Sequence, residues 1–285
     1  MRKEMAAGEF FKKRVLKAVF QKSSYQKSSF QCKRDGLTIR GTEYRPQGSH
    51  LPVAVVCHGF MAYQDTVKQY AAALADMGYL AYTFDFCGGS AIKGKSDGLT
   101  TEMSVLTEIK DLESVLCYAA GRDYADSENI TVMGCSQGGF VSALCAAKGN
   151  FPIKKLVLFY PALCIPHDAR AGKMMWAKFD PRHIPELIKC GPMKLGACYV
   201  KDVIEMEPYK EIRGFSGDVL IVHGEKDRIV HPKYAKRAAR VYWKSSTDRV
   251  VRFEMIKNAG HGFSKRADRK AVGILRDFCN AQYHE

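Results

Sequence analysis

The chain has 285 residues, of which 46% are hydrophobic, so it can bury a full core. No apolar run approaches the roughly 18 residues of a membrane-spanning helix. The ten cysteines form no C-x-x-C pair, which argues against a zinc site or a disulfide framework. Free thiols, together with a charged start in place of a signal-peptide segment, predict a cytoplasmic protein.

The net charge of +14 is concentrated near the start of the chain. Residues 1–47 contain twelve Lys or Arg against four Asp or Glu, which accounts for +8 of the excess. Residues 9–20 predict an amphipathic helix within a basic leader at residues 1–29. Its apolar face carries Phe11, Val15, Ala18 and Val19. Such a helix can contact a membrane surface, but packing on the body or on a second subunit of a homodimer is the simpler expectation. Nucleic-acid binding is not expected, because no recognised motif accompanies the basic residues.

Strand-like and helix-like runs alternate along the rest of the chain. Residues 37–46 predict part of an antiparallel hairpin, and core strands are predicted near 53–57, 79–84, 130–134, 155–159, 219–223 and 250–256. Helices are predicted at 66–77, 103–120, 137–148, 232–243 and 266–281. This alternation predicts a single α/β domain with a mostly parallel sheet.

One interval is too long for a single crossover between strands. Residues 162–213 are rich in Pro, Met and aromatic residues, and we interpret them as a cap inserted over one end of the sheet. The core then comprises residues 30–161 and 214–285. Parallel sheets bind ligands beyond the carboxyl ends of their strands, so the cap is expected to cover a site there.

A serine lies between a predicted strand and a predicted helix. Residues 134–139 read Gly-Cys-Ser-Gln-Gly-Gly and follow the apolar run 130–133. A G-x-S-x-G sequence in this setting is typical of a nucleophile elbow, in which a strained serine is lifted clear of the sheet. The alternative is a glycine-rich turn with a solvated serine. The flanking elements favour the elbow and make Ser136 the candidate nucleophile.

A serine hydroxyl needs a base to remove its proton and a carboxylate to orient that base. In this kind of site the partners follow in the chain order serine, acid, histidine. Asp227 lies in the polar loop after the strand-like run 219–223 and is the predicted acid. Glu225 in the same loop is an alternative, whereas Asp248 precedes its strand and fits poorly.

His261 follows the strand-like run 250–256 in a loop flanked by glycines, and it is the predicted base. His223 lies inside an apolar strand and is interpreted as a core residue, while His231 looks like a loop or helix-cap residue. The remaining histidines have no strand-end setting: His50, His167, His183 and His284. A catalytic thiol at Cys135 is an alternative, but that residue only flanks the elbow serine.

Attack on a carbonyl develops negative charge on its oxygen, and preorganised N–H donors must stabilise that charge. One donor is predicted to be the backbone N–H of Gln137, which follows the nucleophile. The other is predicted after the strand-like run 53–57, where Phe60 follows His58 and Gly59. His58 is expected to brace this loop. No cofactor or metal is required by these residues.

These motifs together resemble those of the α/β-hydrolases, and within them the bacterial cinnamoyl or feruloyl esterases. The resemblance covers roughly residues 30–282. It rests on the sequences at 58–60, 85–89, 94–98, 136–139, 160–162, 223–227 and 260–261. It implies an α/β-hydrolase fold with helices on both faces of a mostly parallel central sheet and a small cap insertion.

In those esterases the cap carries an Asp and a Tyr that hydrogen-bond the phenolic hydroxyl of the substrate. The resemblance places these roles on Asp168 and Tyr199. The alternatives are a surface carboxylate and an ordinary packed tyrosine. The sequence departs from the family at Cys135, where His is frequent, and at residues 61–63, where Gly and Thr are common.

The leading hypothesis is a cofactor-independent serine carboxylic ester hydrolase that acts through an acyl-enzyme. Its expected substrate is a small-molecule ester of a hydroxycinnamic acid, of the feruloyl type, or of another small acyl group. A monoacylglycerol lipase-like or thioesterase activity is the alternative within the same fold. A non-catalytic binding protein that has kept the fold is the alternative of another class.

Overall fold

The computed structural model describes residues 24–245 and 249–281. The amphipathic helix predicted at residues 9–20 lies outside this part of the chain. Within it, every helix is too short or too polar to span a bilayer.

The centre of the molecule is an eight-stranded sheet with the order β1-β2-β4-β3-β5-β6-β11-β12. Strand β2 is antiparallel to both of its neighbours, and the strands from β4 to β12 are parallel. The strands of this sheet are β1 (Tyr25–Arg34), β2 (Leu37–Pro46), β3 (Leu51–Cys57), β4 (Leu80–Phe84), β5 (Ala125–Cys135), β6 (Ile153–Phe159), β11 (Asp218–Gly224) and β12 (Val251–Ile256).

Five longer helices cover the two faces of the sheet. They are α1 (Lys68–Ala75), α2 (Val105–Ala120), α3 (Gln137–Ala147), α7 (Lys233–Ser245) and α8 (Lys265–Asn280). Helices α2, α3 and α7 pack on one face and α1 and α8 on the other. Because parallel strands are covered on both faces, most residues of β3, β6 and β11 are apolar. Val53 and Val55 face the first set of helices, while Ala54 and Val56 face the second.

The cap lies between β6 and β11 and consists of short elements. It contains α4 (Ile165–Arg170), the hairpins β7 (Lys173–Met174) with β8 (Ala177–Lys178) and β9 (Leu187–Cys190) with β10 (Met193–Gly196), then α5 (Ala197–Lys201) and α6 (Pro208–Glu211). Its buried side chains join the core cluster on the face of α2 and α3.

The structure confirms the predicted fold class and the predicted core strands and helices, with ends shifted by a few residues. One correction concerns the start of the sheet. The expected boundary of the leader at residues 29 and 30 falls inside β1, which begins at Tyr25 and pairs with β2 along its whole length. Phe30 anchors this strand against the rings of Tyr82 and Tyr118 at 5.2 and 4.9 Å. The other residues of this edge strand are mostly polar and exposed, so it lacks the apolar alternation that marks a core strand.

Candidate active site

Ser136 occupies the sharp turn between β5 and α3. Its backbone has φ 54° and ψ −118°, a conformation that is unfavourable for a residue with a Cβ. The turn is held by backbone hydrogen bonds, because the Ser136 N–H donates to Phe159 O at 2.9 Å and the Ser136 carbonyl accepts from Ala162 N. The turn therefore presents Ser136 to the cavity that cap residues also line.

The turn requires glycine at the positions two residues before and two residues after Ser136. A Cβ at Gly134 would lie 2.2 Å from the carbonyl oxygen of Gly138, and a Cβ at Gly138 would lie 2.2 Å from that of His58. Both contacts are with backbone atoms, which cannot move away as a flexible side chain can. The glycine spacing recognised in the sequence thus reflects the close approach of β5, α3 and the loop after β3.

His261 lies in the loop after β12 and reaches Ser136 across the carboxyl ends of the strands. Its Nε2 is 2.9 Å from Ser136 Oγ, and its Nδ1 is 2.8 Å from Asp227 Oδ2. The imidazole packs edge-on against the ring of Tyr160, with the centroids 4.8 Å apart. The side chain is 16% exposed, so the ring is partly accessible to solvent while both of its nitrogens have partners.

The side chain of Asp227 is fully buried in the loop after β11. Its Oδ1 accepts hydrogen bonds from the backbone N–H groups of Ile229 and Val230 at 3.0 and 2.9 Å. Burial raises the pKa of this carboxyl, but hydrogen bonds from His223 and His261 and from the backbone outweigh burial and bring the pKa below its usual value. The group is therefore an anion at neutral pH, with Oδ2 directed at the imidazole.

His223 is a neighbour of the acid that the sequence pattern does not reveal. Its Nε2 lies 2.9 Å from Val230 O and 3.2 Å from Asp227 Oδ2, and its side chain is completely buried. Because a carbonyl only accepts, Nε2 must carry the proton, and Nδ1 is left without a partner. The interpretation of His223 as a core residue misses this contact with Asp227.

The loop after β3 carries the second predicted N–H donor. The Phe86 N–H donates to His58 Nε2 at 3.1 Å, so the ring carries its proton on Nδ1 and donates it to Gly59 O at 2.8 Å. Burial lowers the pKa of His58, which keeps the ring neutral. The residues with the two predicted donors, Phe60 and Gln137, both line the cavity that exposes Ser136.

This cavity has a volume of about 290 Å³ and opens between the core and the cap. Its rim carries three of the large apolar side chains that are exposed to solvent: Met175 (43%), Trp176 (67%) and Ile229 (54%). Charged side chains from the cap and from the loop of the acid also line it, namely Asp168, Lys173 and Arg228. The cavity therefore suits an apolar group with a polar end.

Both cap residues that the resemblance singles out line this cavity, and both already have partners. Asp168 forms an ion pair with Lys173 at 3.0 Å. Tyr199 is buried, and its hydroxyl donates a short hydrogen bond to Gln137 Oε1. Its oxygen can still accept a hydrogen bond from a bound molecule.

Gln137 is also bonded on its other side, to a residue of α2. Its Nε2 donates to Glu108 Oε2 at 2.8 Å, and both side chains are buried. Burial raises the pKa of Glu108, the hydrogen bond from Gln137 lowers it, and the nearby charge of Asp111 raises it. The net result is a pKa of about 8. Sequence reasoning missed Glu108, which has no strand-end setting and resembles any acidic residue in the first turns of a helix.

The thiols near the site are not set up as nucleophiles. Burial raises the pKa of Cys135 to about 12 and that of Cys57 well above its usual value, so both stay protonated at neutral pH. All ten cysteines are free. Among residues 24–245 and 249–281, no group of three His, Cys, Asp or Glu side chains is arranged to hold a metal ion.

Comparison with protein-family models gives one match. The family described as serine aminopeptidase, S33, matches residues 48–211, which is more than half of the chain. The chain belongs to this family of α/β-hydrolases. A search of the curated proteins finds no match.

Solved structures of other α/β-hydrolases share the fold. Est1E from Butyrivibrio proteoclasticus, with ferulic acid bound, is 24% identical and superimposes with a TM-score of 0.79 over 88% of this chain and 97% of its own. The esterase domain of a Rhodothermus marinus protein is 16% identical, with a TM-score of 0.66 over 89% of this chain and 98% of its own. An esterase from Pyrococcus furiosus is 14% identical, with a TM-score of 0.63, and the match covers 90% of this chain and 91% of that one.

In this α/β-hydrolase the structure brings the predicted nucleophile, base and acid within hydrogen-bond distance of one another. Ser136, His261 and Asp227 come from three separate loops at the carboxyl ends of β5, β12 and β11. Glu225, the alternative acid, instead accepts from the backbone N–H of Asn258 at 3.1 Å on the surface.

Proposed function

We propose that this α/β-hydrolase is a serine carboxylic ester hydrolase that works through an acyl-enzyme. The observation that carries the proposal is the continuous line from Ser136 Oγ through the His261 ring to the buried Asp227 carboxylate, with distances of 2.9 and 2.8 Å. A serine, a histidine and an ionised carboxylate in this order are the parts that general-base activation of a hydroxyl requires.

In the acylation step, His261 Nε2 takes the proton of Ser136 while the serine oxygen attacks the ester carbonyl. The negative charge that develops on the carbonyl oxygen is stabilised by the backbone N–H groups of Phe60 and Gln137. His261 then gives the proton to the departing alcohol, and the acyl group remains on Ser136. Asp227 keeps the proton of His261 on Nδ1 at the start and stabilises the imidazolium that forms.

In the deacylation step, a water molecule replaces the alcohol. His261 takes a proton from this water as it attacks the acyl carbonyl, and the same two N–H groups stabilise the second oxyanion. The proton then returns to Ser136 Oγ, and the carboxylic acid leaves. These steps use no cofactor and no metal.

The volume and lining of the cavity support an aryl or other small apolar acyl group. Trp176 and the two methionines before it offer an apolar surface for a ring or a short chain. A hydroxycinnamoyl ester of the feruloyl type would place its phenolic hydroxyl near Asp168 and Tyr199. Asp168 would have to exchange part of its ion pair with Lys173 for this hydroxyl, whereas Tyr199 can accept a hydrogen bond without losing Gln137.

The family's description also raises the question of peptide substrates. An aminopeptidase must hold the ammonium group of its substrate, for which a free carboxylate in the pocket is suited. Here the pocket carboxylate of Asp168 is already paired with Lys173, and Arg228 adds a further cation to the lining. This charge distribution favours neutral esters over peptides with a free amino end.

Composition and charge support further proposals about the partner and the compartment of this protein. A small-molecule ester is the expected partner, and the ten free thiols support a reducing compartment such as the cytoplasm. The helix predicted at residues 9–20, through which the basic leader would contact a second subunit of a homodimer or a membrane surface, lies outside the described part of the chain.

The first experiment compares the wild type with Ser136→Ala in the hydrolysis of p-nitrophenyl acetate. We expect the variant to lose at least 10³-fold in kcat, because it keeps the N–H donors but has no nucleophile. A fluorophosphonate probe should label the wild type at Ser136 and leave the variant unlabelled. Equal rates for the two proteins would remove Ser136 from the mechanism, and an unlabelled, inactive wild type would favour a binding protein.

The second experiment concerns the acyl group. Methyl ferulate is compared with a series of p-nitrophenyl esters of increasing chain length, and leucine p-nitroanilide serves as the peptide-like probe. We expect kcat/KM to be highest for the aryl ester or for short chains. A preference for chains of about twelve carbons or more would instead indicate a lipase-like or thioesterase activity.

A further inference from the structure

Behind the nucleophile, a buried chain of three side chains links the core to the cap. Glu108 of α2 accepts a hydrogen bond from Gln137 Nε2 at 2.8 Å, and Gln137 Oε1 accepts from the hydroxyl of Tyr199 of α5. Each of the three residues is 1% exposed. The steps of ester hydrolysis described above use none of these side-chain atoms.

Gln137 is the residue whose backbone N–H is one of the two proposed oxyanion donors. An N–H contributes to catalysis only if it already has the right direction when the negative charge forms. The Gln137 side chain is held at its nitrogen by α2 and at its oxygen by the cap, so rotation of this residue breaks at least one buried hydrogen bond. Such a break is costly, because a buried donor or acceptor is left unpaired.

The environment of Glu108 differs from that of the other buried acid on the same helix. Asp111 forms an ion pair with Arg34 at 2.7 Å, whereas Glu108 bonds the neutral amide of Gln137. The titratable groups that face Glu108 are Asp111 on its own helix, Cys57 at the end of β3 and Tyr199 of the cap. None of the three offers a positive charge.

A protonated Glu108 explains how an acid can be tolerated at this place. Burial raises its pKa to about 8, so the side chain is mostly neutral at pH 7. In this form it still accepts from Gln137 but adds no negative charge close to the oxyanion. The ionised form would oppose the charge that develops during acyl transfer.

We propose that Glu108 and Tyr199 are positioning residues, which hold the Gln137 side chain so that its backbone N–H keeps the direction needed by the oxyanion. The proposal rests on the ester hydrolase function proposed above. It also assigns Tyr199 a role in the reaction itself, apart from any contact with the substrate.

The test measures kcat and KM for p-nitrophenyl acetate in Glu108→Ala, Glu108→Gln and Tyr199→Phe. We expect Glu108→Ala to lower kcat by about 10- to 100-fold, less than the roughly 10²- to 10³-fold cost of deleting an oxyanion donor. KM should change by less than about twofold, because the lost interaction acts in the transition state. Glu108→Gln keeps an acceptor for Gln137 and should recover most of the lost kcat, while Tyr199→Phe should lower kcat by about 3- to 10-fold.

A matched control distinguishes positioning from loss of a buried acid in general. Glu43 of β2 is also a buried carboxyl and accepts from the hydroxyls of Tyr82 and Tyr124 at 2.7 and 3.0 Å. Glu43→Ala should destabilise the fold to a similar extent, as measured by urea unfolding, with kcat within about twofold of the wild type. A kcat loss in Glu43→Ala as large as that in Glu108→Ala would overturn the proposal.

Two readouts respond to the oxyanion site itself. An arylboronic acid binds by forming a bond from boron to Ser136 Oγ, and one of its oxygens then occupies the oxyanion position. In Glu108→Ala its Ki should rise by the same factor by which kcat falls. The wild type should also lose kcat as the pH rises through about 8, and Glu108→Gln should lack this alkaline loss.

The possible failures are distinguishable. If the wild type hydrolyses no ester, or if Ser136→Ala is as active as the wild type, both the proposed function and this inference are refuted. If the wild type is an esterase but folded Glu108→Ala and Tyr199→Phe have unchanged kcat, only the positioning role is overturned. Should Glu108→Ala not fold, Tyr199→Phe and the pH profile of Glu108→Gln decide the question in the same way.

Discussion

Replacing Asp227 by Asn should abolish most activity in a protein that still folds. In the native site, Oδ1 accepts from the N–H groups of Ile229 and Val230, and Oδ2 faces His261 Nδ1 at 2.8 Å. The amide oxygen of Asn must take the Oδ1 position, because an NH₂ group there would meet two donors. The NH₂ group is then directed at His261 Nδ1.

This NH₂ group can only donate, so His261 must accept at Nδ1 and carry its proton on Nε2. Nε2 is 2.9 Å from Ser136 Oγ, and a protonated Nε2 cannot take the serine proton. We therefore expect kcat to fall by on the order of 10⁴, equivalent to about 5 kcal/mol in the activation barrier. Hydrolysis of p-nitrophenyl acetate at pH 7 measures this change.

Glu225→Gln is the matched control, because Glu225 lies in the same loop and is exposed at the surface. Its kcat should stay within about threefold of the wild type. Asp227→Asn should still fold, because both backbone hydrogen bonds are kept, but its melting temperature should fall by several degrees, because the NH₂ group replaces the Oδ2 that accepts from His223 Nε2. If folded Asp227→Asn retained more than a tenth of the activity, or if Glu225→Gln lost as much, the assignment of Asp227 as the orienting acid would be refuted.

Three further changes have clear expected results. Gly138→Ala places a Cβ 2.2 Å from His58 O and should lower the free energy of unfolding by several kcal/mol. Gly273→Ala in α8 meets open space and should raise the free energy of unfolding by about 0.5 to 1 kcal/mol. Urea unfolding measures both changes. Glu108 binds a proton up to pH about 8 in the folded state but ionises above its ordinary pKa of 4.5 when unfolded. The free energy of unfolding of the wild type, relative to that of Glu108→Gln, should therefore fall by a few kcal/mol as the pH rises from 4.5 to 8, and it should stay level above pH 8. Parallel pH profiles for the two proteins would contradict this. Trp176→Ala should raise KM for methyl ferulate by about 5- to 50-fold with less effect on p-nitrophenyl acetate, since only the larger acyl group reaches the rim.

Much of the fold could be predicted from the sequence, because parallel strands are buried on both faces and therefore form apolar runs. Most residues of β3, β6 and β11 are apolar, and β3 and β11 are each followed by a loop with glycine or polar residues. Residues after such strands must meet at one edge of the sheet, which is why Ser136, Asp227 and His261 could be named together. The strained turn at Ser136 has its own signature in the flanking glycines.

The supporting residues could not be found in the same way. Glu108 lies on an amphipathic helix where an acid normally faces water, and only the packing of α2 against α3 and the cap shows that it is buried. His223 sits in an apolar strand, so its contact with Asp227 depends on how the following loop turns back. Hydrogen bonds between residues 29 or 62 positions apart, such as those that Gln137 makes, leave no local pattern in a sequence.

The path of the cap between β6 and β11 has a consequence for engineering. Because the segment leaves and rejoins the core at strand ends, it can be exchanged for a shorter or longer one without breaking the central sheet. A graft would nevertheless remove the phenol that bonds Gln137. Any chimera built to accept new esters should therefore carry a replacement hydroxyl at this point, or its turnover would suffer even with an ideal pocket.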